Sequence, residues 1–237
     1  MTQFDYSGTE LDVFQHAINW KRYWAQAISP YLGPDVLDVG AGIGATAVNL
    51  KEHRFNKWVE LEPDPVLAKR IVELRDRGGI PAQVEVRNGS IADLAPDECF
   101  DTVLYIDVLE HIEDDRAEVA RAMQHVKPGG HVVVLSPAHD YLYTEFDRQI
   151  GHFRRYNAQG LRTIAPDGST VSICKYLDSV GMLASLANRL LLKSGSPTMN
   201  QIKAWDRLMV PVSMRLDPLL GYRLGKSIVC VYTKLPR

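Results

Sequence analysis

Nowhere in these 237 residues is there an apolar run long enough to span a bilayer, so no membrane-crossing helix, which needs about 20 such residues, is expected. Cysteine is scarce: Cys99, Cys174 and Cys230 are neither paired nor clustered in the sequence. A disulfide framework is therefore not expected, and each thiol reads as a small core residue of a chain in a reducing cytoplasm. The segment MTQFDYSGTE lacks the basic and apolar regions of a secretory signal, which points the same way. An excess of charge is also missing. With 27 Lys and Arg against 29 Asp and Glu, the chain has no general field to attract a nucleic-acid backbone, and no nucleic-acid partner is expected. No internal repeat is visible. What is present, 46% hydrophobic and 24% charged residues, is the make-up of a folded globular chain whose length suits one α/β domain with an elaboration.

Short β-type runs alternate with helical patterns, the signature of a mostly parallel sheet covered by helices on both faces. Strands are expected at Asp35–Val39, Trp58–Leu61, Val84–Arg87, Thr102–Ile106, His131–Ser136, Thr170–Tyr176 and Ser227–Thr233. An amphipathic helix over about 11–31 precedes them, so residues 1–33 read as a helical lid. The stretch 138–156 is a long connection after the fifth strand, and 177–226 is a helical insertion before the last strand. One domain, 1–237, is expected.

The first strand runs into Asp38 Val39 Gly40 Ala41 Gly42 Ile43 Gly44 and then directly into a helical stretch. Glycines here let the backbone approach a ligand, and the following helix offers unpaired N–H groups. Glu62 closes the second strand, where a carboxylate can accept both ribose hydroxyls of a nucleoside. Loop and acid together fit S-adenosylmethionine (SAM) or NAD, and the residues alone leave both open.

Five segments in order resemble the class I SAM-dependent methyltransferases: 36–44 (VLDVGAGIG), 59–63 (VELEP), Gly89 to Ile91, 100–112 (FDTVLYIDVLEHI) and 126–134 (VKPGGHVVV). The resemblance implies a Rossmann-like seven-stranded sheet of order 3-2-1-4-5-7-6 with strand 7 antiparallel, and SAM across its carboxyl edge. It assigns cofactor contacts to Asp38, Gly40, Ala41, Gly42, Gly44, Glu62, Gly89, Ser90, Ile91 and Asp107. Where many members carry an aspartate against the adenine, this chain has Ser90.

Asp107, Glu110 and His111 are spaced i, i+3, i+4 and would share one helical face beyond the fourth strand. That spacing resembles the acid-x-x-Glu-His cluster by which some ubiquinone-pathway O-methyltransferases and small-RNA 2′-O-methyltransferases hold a divalent metal, with His152 as a further ligand. General-base use of His111 and His152 is the rival role. The connection AHDYLYTEFDRQIGHFRRY places His139, Tyr143, Arg154, Arg155 and Tyr156 where an acceptor should lie, with the two arginines as anion receptors. Its GHFRRY segment resembles a subgroup of bacterial methyltransferases. The insertion has seven Lys and Arg against three Asp, with apolar residues at helical spacing. A helical cover or oligomer interface is one reading of it, and peripheral contact with anionic lipid the other.

The expected function is SAM-dependent transfer of a methyl group to a hydroxyl or amine of a small molecule, such as a saccharide or lipid-linked intermediate bearing an anionic group. The rivals are an NAD-dependent oxidoreductase and a catalytically idle SAM-binding protein.

Overall fold

A computed structural model describes Leu11 and residues 14–187 and 198–236. Its centre is one seven-stranded sheet in the order β3-β2-β1-β4-β5-β7-β6, formed by β1 (Asp35–Val39), β2 (Lys57–Glu62), β3 (Glu85–Asn88), β4 (Phe100–Ile106), β5 (Val126–Pro137), β6 (Ser169–Leu177) and β7 (Ser227–Lys234). Strands β1 to β5 pair in parallel, while β7 runs antiparallel to both β5 and β6. Central strands covered on both faces read as near-continuous apolar runs. In β5, Val132, Val133, Val134 and Leu135 are fully buried and alternate between two cores. Val133 and Leu135 meet the core that contains the amino-terminal helix, and Val132 and Val134 meet the opposite one.

The carboxyl edge of the parallel strands carries every feature of interest, because the order reverses between β1 and β4 and leaves a crevice there. Helix α1 (Ile18–Ile28) lies over it, followed by α2 (Ala45–Asn49) after the glycine loop and α3 (Pro65–Asp76) after β2. Helix α4 (Asp115–Gln124) joins β4 to β5, while α5 (Glu145–Gln149) and α6 (Ala158–Thr163) fill the connection to β6. The insertion folds as α7 (Ser179–Ala187), α8 (Met199–Ala204), a π-helical turn (Trp205–Met209) and α9 (Val210–Leu219).

Three expectations need correction. The expected helix over about 11–31 is interrupted: Leu11 and Phe14 are helical, a turn follows at Gln15 and His16, and α1 proper runs from Ile18 to Ile28. Its own N-cap, Ala17, offers no side-chain acceptor, and the start is set instead by Asp206 of the insertion, which accepts the backbone N–H of Asn19 at 3.2 Å and of Trp20 at 2.9 Å. The segment holding Glu110 and His111 is a single 3₁₀ turn, Leu109–His111, and not an α-helix. Asp107, at φ 55, breaks the chain direction before it. The 138–156 connection is not structureless, since a capping box closes α5: the Thr144 backbone N–H and hydroxyl both donate to Asp147 Oδ2 at 2.8 Å.

Buried carboxylates dock the insertion. Asp217 accepts the N–H of Asp178 at 2.7 Å and of Ser179 at 3.2 Å, which caps α7, and also the hydroxyl of Tyr23 on α1 at 2.8 Å. Asp178 accepts from Gly181 N–H at 3.0 Å, Ser213 Oγ at 2.6 Å and Trp205 Nε1 at 2.7 Å. A side chain at Gly181 would overlap that carboxylate, with a Cβ falling 1.9 Å from Asp178 Oδ2. Part of the insertion, including Arg189 and Lys193, lies outside the described residues, as does most of the segment before Phe14.

Candidate active site

One cavity of about 830 Å³ opens at the carboxyl edge. That volume is near the upper end of the ~300–1,000 Å³ usual for small-molecule sites, enough for a cofactor and a second small molecule. Of the residues expected at the site, Gly40, Ala41, Gly42, Asp107, Glu110, His111, Tyr143, His152 and Arg155 line it.

The glycine loop forms its floor. Gly40 N–H and Ala41 N–H donate to Leu61 O at 2.8 and 3.2 Å, tying the loop to β2. Gly40 takes φ +68, and a Cβ there would come within 2.8 Å of both Val108 methyls, so both its conformation and its space exclude a side chain. Glu62 is 4% exposed. Its Oε2 accepts Gly42 N–H at 2.7 Å and its Oε1 accepts Asp64 N–H at 2.8 Å. Burial pushes its carboxyl up, and these two amides pull it back toward the charged form. Each oxygen keeps a further lone pair for a hydroxyl. The sequence does not reveal this bracing of the loop by the ribose-type acid.

Asp38 does not face the cavity lumen but lies beneath the loop, 1% exposed and opposite Glu60 in the β1–β2 register. Burial pushes the Asp38 carboxyl up to about 7 and that of Glu60 well up. Trp58 Nε1 donates to Glu60 Oε1 at 3.0 Å, which leaves Asp38 Oδ2 and Glu60 Oε2 as buried oxygens with no other donor. A proton held between the two carboxyls satisfies both. Gly44 serves as the N-cap of α2 at φ 77. At the neighbouring strand ends, Gly89 N–H donates to Glu62 O at 3.0 Å, and Ser90 gives its N–H and hydroxyl to Asp93 Oδ2 at 2.7 and 2.8 Å. Ile91 is buried in the core, so Gly89 and Ser90 are left as the accessible part of that turn.

Beyond β4, Asp107 opens on the cavity. The enclosing walls push its carboxyl up to about 6, against the pull of His152, Lys226 and Lys21. Glu110 is fully buried, its Oε2 accepting the Ser136 hydroxyl at 3.0 Å while Oε1 has no hydrogen-bond donor. Burial, and then the charge of Asp107, push its carboxyl well up. The rings of His111 and His152 meet edge to face at 4.6 Å although 41 positions separate them. The carbonyls of Ile150 and Gly151 engage His111, and burial lowers its pKa to about 4, so it is a neutral bracing ring at ordinary pH.

His152 has a different environment. Its Nδ1 lies 2.9 Å from Asp147 Oδ1, and its Nε2 lies 3.9 Å from Glu110 Oε1. An Nδ1–H donated to the carboxylate leaves Nε2 as the basic nitrogen. Asp147 is 1% exposed and also receives Arg155 bidentately at 2.8 and 2.8 Å. Burial would raise its carboxyl, but His152 and Arg155 outweigh that and hold it well below the usual range. Asp147 was not among the residues singled out from sequence. Its only signal there is the Thr144-x-x-Asp147 capping box.

Several expected acceptor contacts lie elsewhere. Arg154 pairs with Asp115 at 2.6 Å and donates to Glu113 O at 2.6 Å. Tyr156 is buried, with its hydroxyl on Asp115 Oδ2 at 2.7 Å. Both polar ends are spent on Asp115, away from the cavity. Arg155 reaches the lumen, but its fork is occupied by Asp147. His139 stacks between Tyr141 and Tyr176, with centroids 4.8 and 4.7 Å away, and is not part of the cavity lining. Tyr143 does line it and donates its hydroxyl to His152 O at 2.6 Å.

For a metal, Glu110, His111 and His152 each offer a ligand atom, all within 4.8 Å of one another. Asp107 is not part of that cluster. The orphaned Oε1 of Glu110 is the feature that fits a cation. The commitment of His111 to two backbone carbonyls is the feature that does not favour one.

Comparison with known proteins adds findings of three kinds. A family profile described as "Methyltransferase domain" matches residues 14–168. Norajmaline N-methyltransferase of Rauvolfia serpentina is 31% identical over 109 residues, which cover 44% of this chain and 36% of that protein. Ubiquinone biosynthesis O-methyltransferase of Ralstonia nicotianae is 33% identical over 123 residues, 49% of each chain. These matches thus span less than half the length of either curated relative. Among solved structures, coclaurine N-methyltransferase bound to N-methylheliamine and SAH superposes with a TM-score of 0.62 at 15% identity, covering 97% of this chain and 75% of that one. The [4+2]-cyclase SpnF superposes equally well, at 0.62 and 14% identity over 99% and 86%. At such identities the likeness is one of fold alone.

Proposed function

Since this chain belongs to the methyltransferase-domain family, we propose that it binds SAM and transfers its methyl group to a hydroxyl or amine of a small molecule carrying an anionic group. The observation that carries the reading is a single cavity bounded by the braced glycine loop at one end and by the Asp147–His152 pair at its side. Glu62 would hold the ribose, Gly89 and Ser90 would flank the adenine, and Gly40 to Gly42 would lie along the methionine, with Asp107 at its far end.

Methyl transfer from a sulfonium needs a nucleophile held in line with the S–CH3 bond, so orientation can supply much of the rate. A base is needed only for an acceptor that carries a proton. His152 Nε2 would take that proton as the acceptor oxygen or nitrogen attacks, and Asp147 would stabilise the imidazolium that forms. His111 and Tyr143 keep the ring in place.

The second reading, favoured by the orphaned Glu110 Oε1, is a divalent ion on Glu110, His111 and His152 that would lower the pKa of a bound acceptor hydroxyl. The two readings part on one experiment, transfer of label from methyl-labelled SAM into a panel of phenols and amines, with and without chelator. Turnover that survives chelation supports the histidine base, and loss restored by magnesium or manganese supports the metal. No SAM binding by calorimetry would refute the proposal and return the site to a dinucleotide or to an idle scaffold.

A further inference from the structure

Part of the cavity lining is apolar and aromatic. Beside the glycine loop it includes Trp20 and Trp24 of α1 and Ile202, Trp205 and Met209 of the insertion. These walls are fixed before any ligand arrives. Trp205 is locked by its indole N–H on Asp178 Oδ2 at 2.7 Å, and Trp20 by its backbone N–H on Asp206 Oδ1 at 2.9 Å. The two indoles meet at 5.9 Å between centroids with 51° between planes. Rigid aromatic walls favour flat apolar ligands, because little side-chain entropy is lost on binding.

Lys226 stands in this apolar setting. It immediately precedes β7, with its backbone N–H on Asp178 O at 3.2 Å and its carbonyl receiving Ala138 N–H at 2.8 Å, so its root cannot shift. Its Nζ lies 3.5 Å from the centroid of the Trp205 ring. Its ion pair to Asp178 Oδ2 is long at 3.7 Å, and that carboxylate already receives three neutral donors. An ammonium has three N–H groups and gains most from an acceptor at hydrogen-bond distance when water is scarce. Burial lowers its pKa, against the pull of Asp178 and Asp107. Of the other two cations that line the cavity, Arg155 is occupied by Asp147 and Lys21 donates to Gln15 O at 3.2 Å.

We propose that the methyl acceptor is a planar, largely apolar molecule bearing one anionic group, with the anion received by Lys226 and the ring system lying against Trp20 and Trp205. This rests on the reading that the glycine-loop end of the same cavity holds SAM. It moves the anion-binding role from the Arg154–Arg155 pair to Lys226, and it favours a ring system over a saccharide, whose hydroxyls would find few partners on these walls.

The test uses the full chain loaded with S-adenosylhomocysteine and two fluorescent probes that share one aromatic skeleton, anilinonaphthalene sulfonate and the uncharged phenylnaphthylamine. Wild type should bind one equivalent of the sulfonate. Lys226→Met and Lys226→Gln should each weaken it about tenfold, the scale of one charged hydrogen bond, and leave the neutral probe and S-adenosylhomocysteine unchanged. The Gln variant keeps an N–H for Asp178 should the Met variant fail to fold. The proposal is overturned by wild type that does not bind the sulfonate, by equal loss of both probes, or by variants indistinguishable from wild type. Loss of S-adenosylhomocysteine affinity in the variants would give Lys226 to the cofactor and overturn it too. Failure of the SAM reading itself shows separately, as wild type that does not bind S-adenosylhomocysteine.

Discussion

Asp206→Ala should cost this protein about 2–4 kcal/mol of stability. Asp206 is 3% exposed, lies 187 positions from the helix it caps, and holds the N–H groups of Asn19 and Trp20 together with the Asn19 amide at 3.2 Å. Losing an N-cap costs about 0.5–2 kcal/mol, and each buried donor left unpaired about 1–3 kcal/mol. The two costs overlap, because the cap is made of those same donors, hence the intermediate figure. For a domain of this size that corresponds to a fall in Tm of roughly 5–15 °C. Asp206→Asn is the intermediate case: its amide oxygen can still accept one of the two backbone N–H groups, but the NH2 that replaces the other oxygen cannot accept, so its cost should fall below that of alanine. Urea titration followed by far-UV circular dichroism measures both. Since α1 carries Lys21, Trp20 and Trp24 into the cavity, Asp206→Ala should also weaken S-adenosylhomocysteine binding in the fraction that remains folded. An alanine variant as stable as wild type, or an asparagine variant equally damaged, would refute the capping argument.

Three further expectations concern the site. Glu62→Ala should weaken S-adenosylhomocysteine by about 1–3 kcal/mol in calorimetry, and unchanged affinity would remove Glu62 from the site. Asp147→Asn should lower kcat about 100-fold or more, with S-adenosylhomocysteine affinity intact and an altered pH profile, because an amide can hold His152 in the wrong tautomer; near-wild-type kcat would leave catalysis to orientation alone. Glu60→Gln tests the shared proton below the glycine loop. Burial raises both carboxyls of the pair in the folded state, Asp38 to about 7 from 3.8, so the protonated form favours folding. Stability is then fullest below the ordinary carboxyl range and is lost as pH rises through the folded values. Gln keeps a donor for Asp38 and an acceptor for Trp58 without that dependence. The Tm advantage of the variant should therefore grow from about pH 5 to about pH 8, and a pH-independent difference would count against the pair.

Local chemistry alone sufficed for much of this protein. Seven strands were legible, six of them within one or two residues of their ends and the fifth with its start at Val126 missed by five, because apolar runs buried on both faces leave little freedom of register. The glycine loop was legible because only glycine tolerates the φ of +68 at Gly40 against Val108. The placement of Glu62, Glu110 and His111 followed from the strands that end beside them. The meeting of His111 with His152 also followed, since β4 and β5 are neighbours in the sheet.

What the sequence could not determine depends on partners far along the chain. Arg154 and Tyr156 looked like acceptor contacts until Asp115 claimed both, and Arg155 looked like a free fork until Asp147 filled it. Asp147 itself has no periodicity that links it to His152. The start of α1 is decided by a carboxylate 187 positions away. Lys226, one basic residue among seven in its segment, becomes a cavity cation only because the insertion folds back and sets Trp205 beneath it. Strands and turns are selected by neighbours a few residues apart, whereas the destination of a charged side chain depends on which counter-charge the completed fold brings within about 4 Å, and no local pattern encodes that distance.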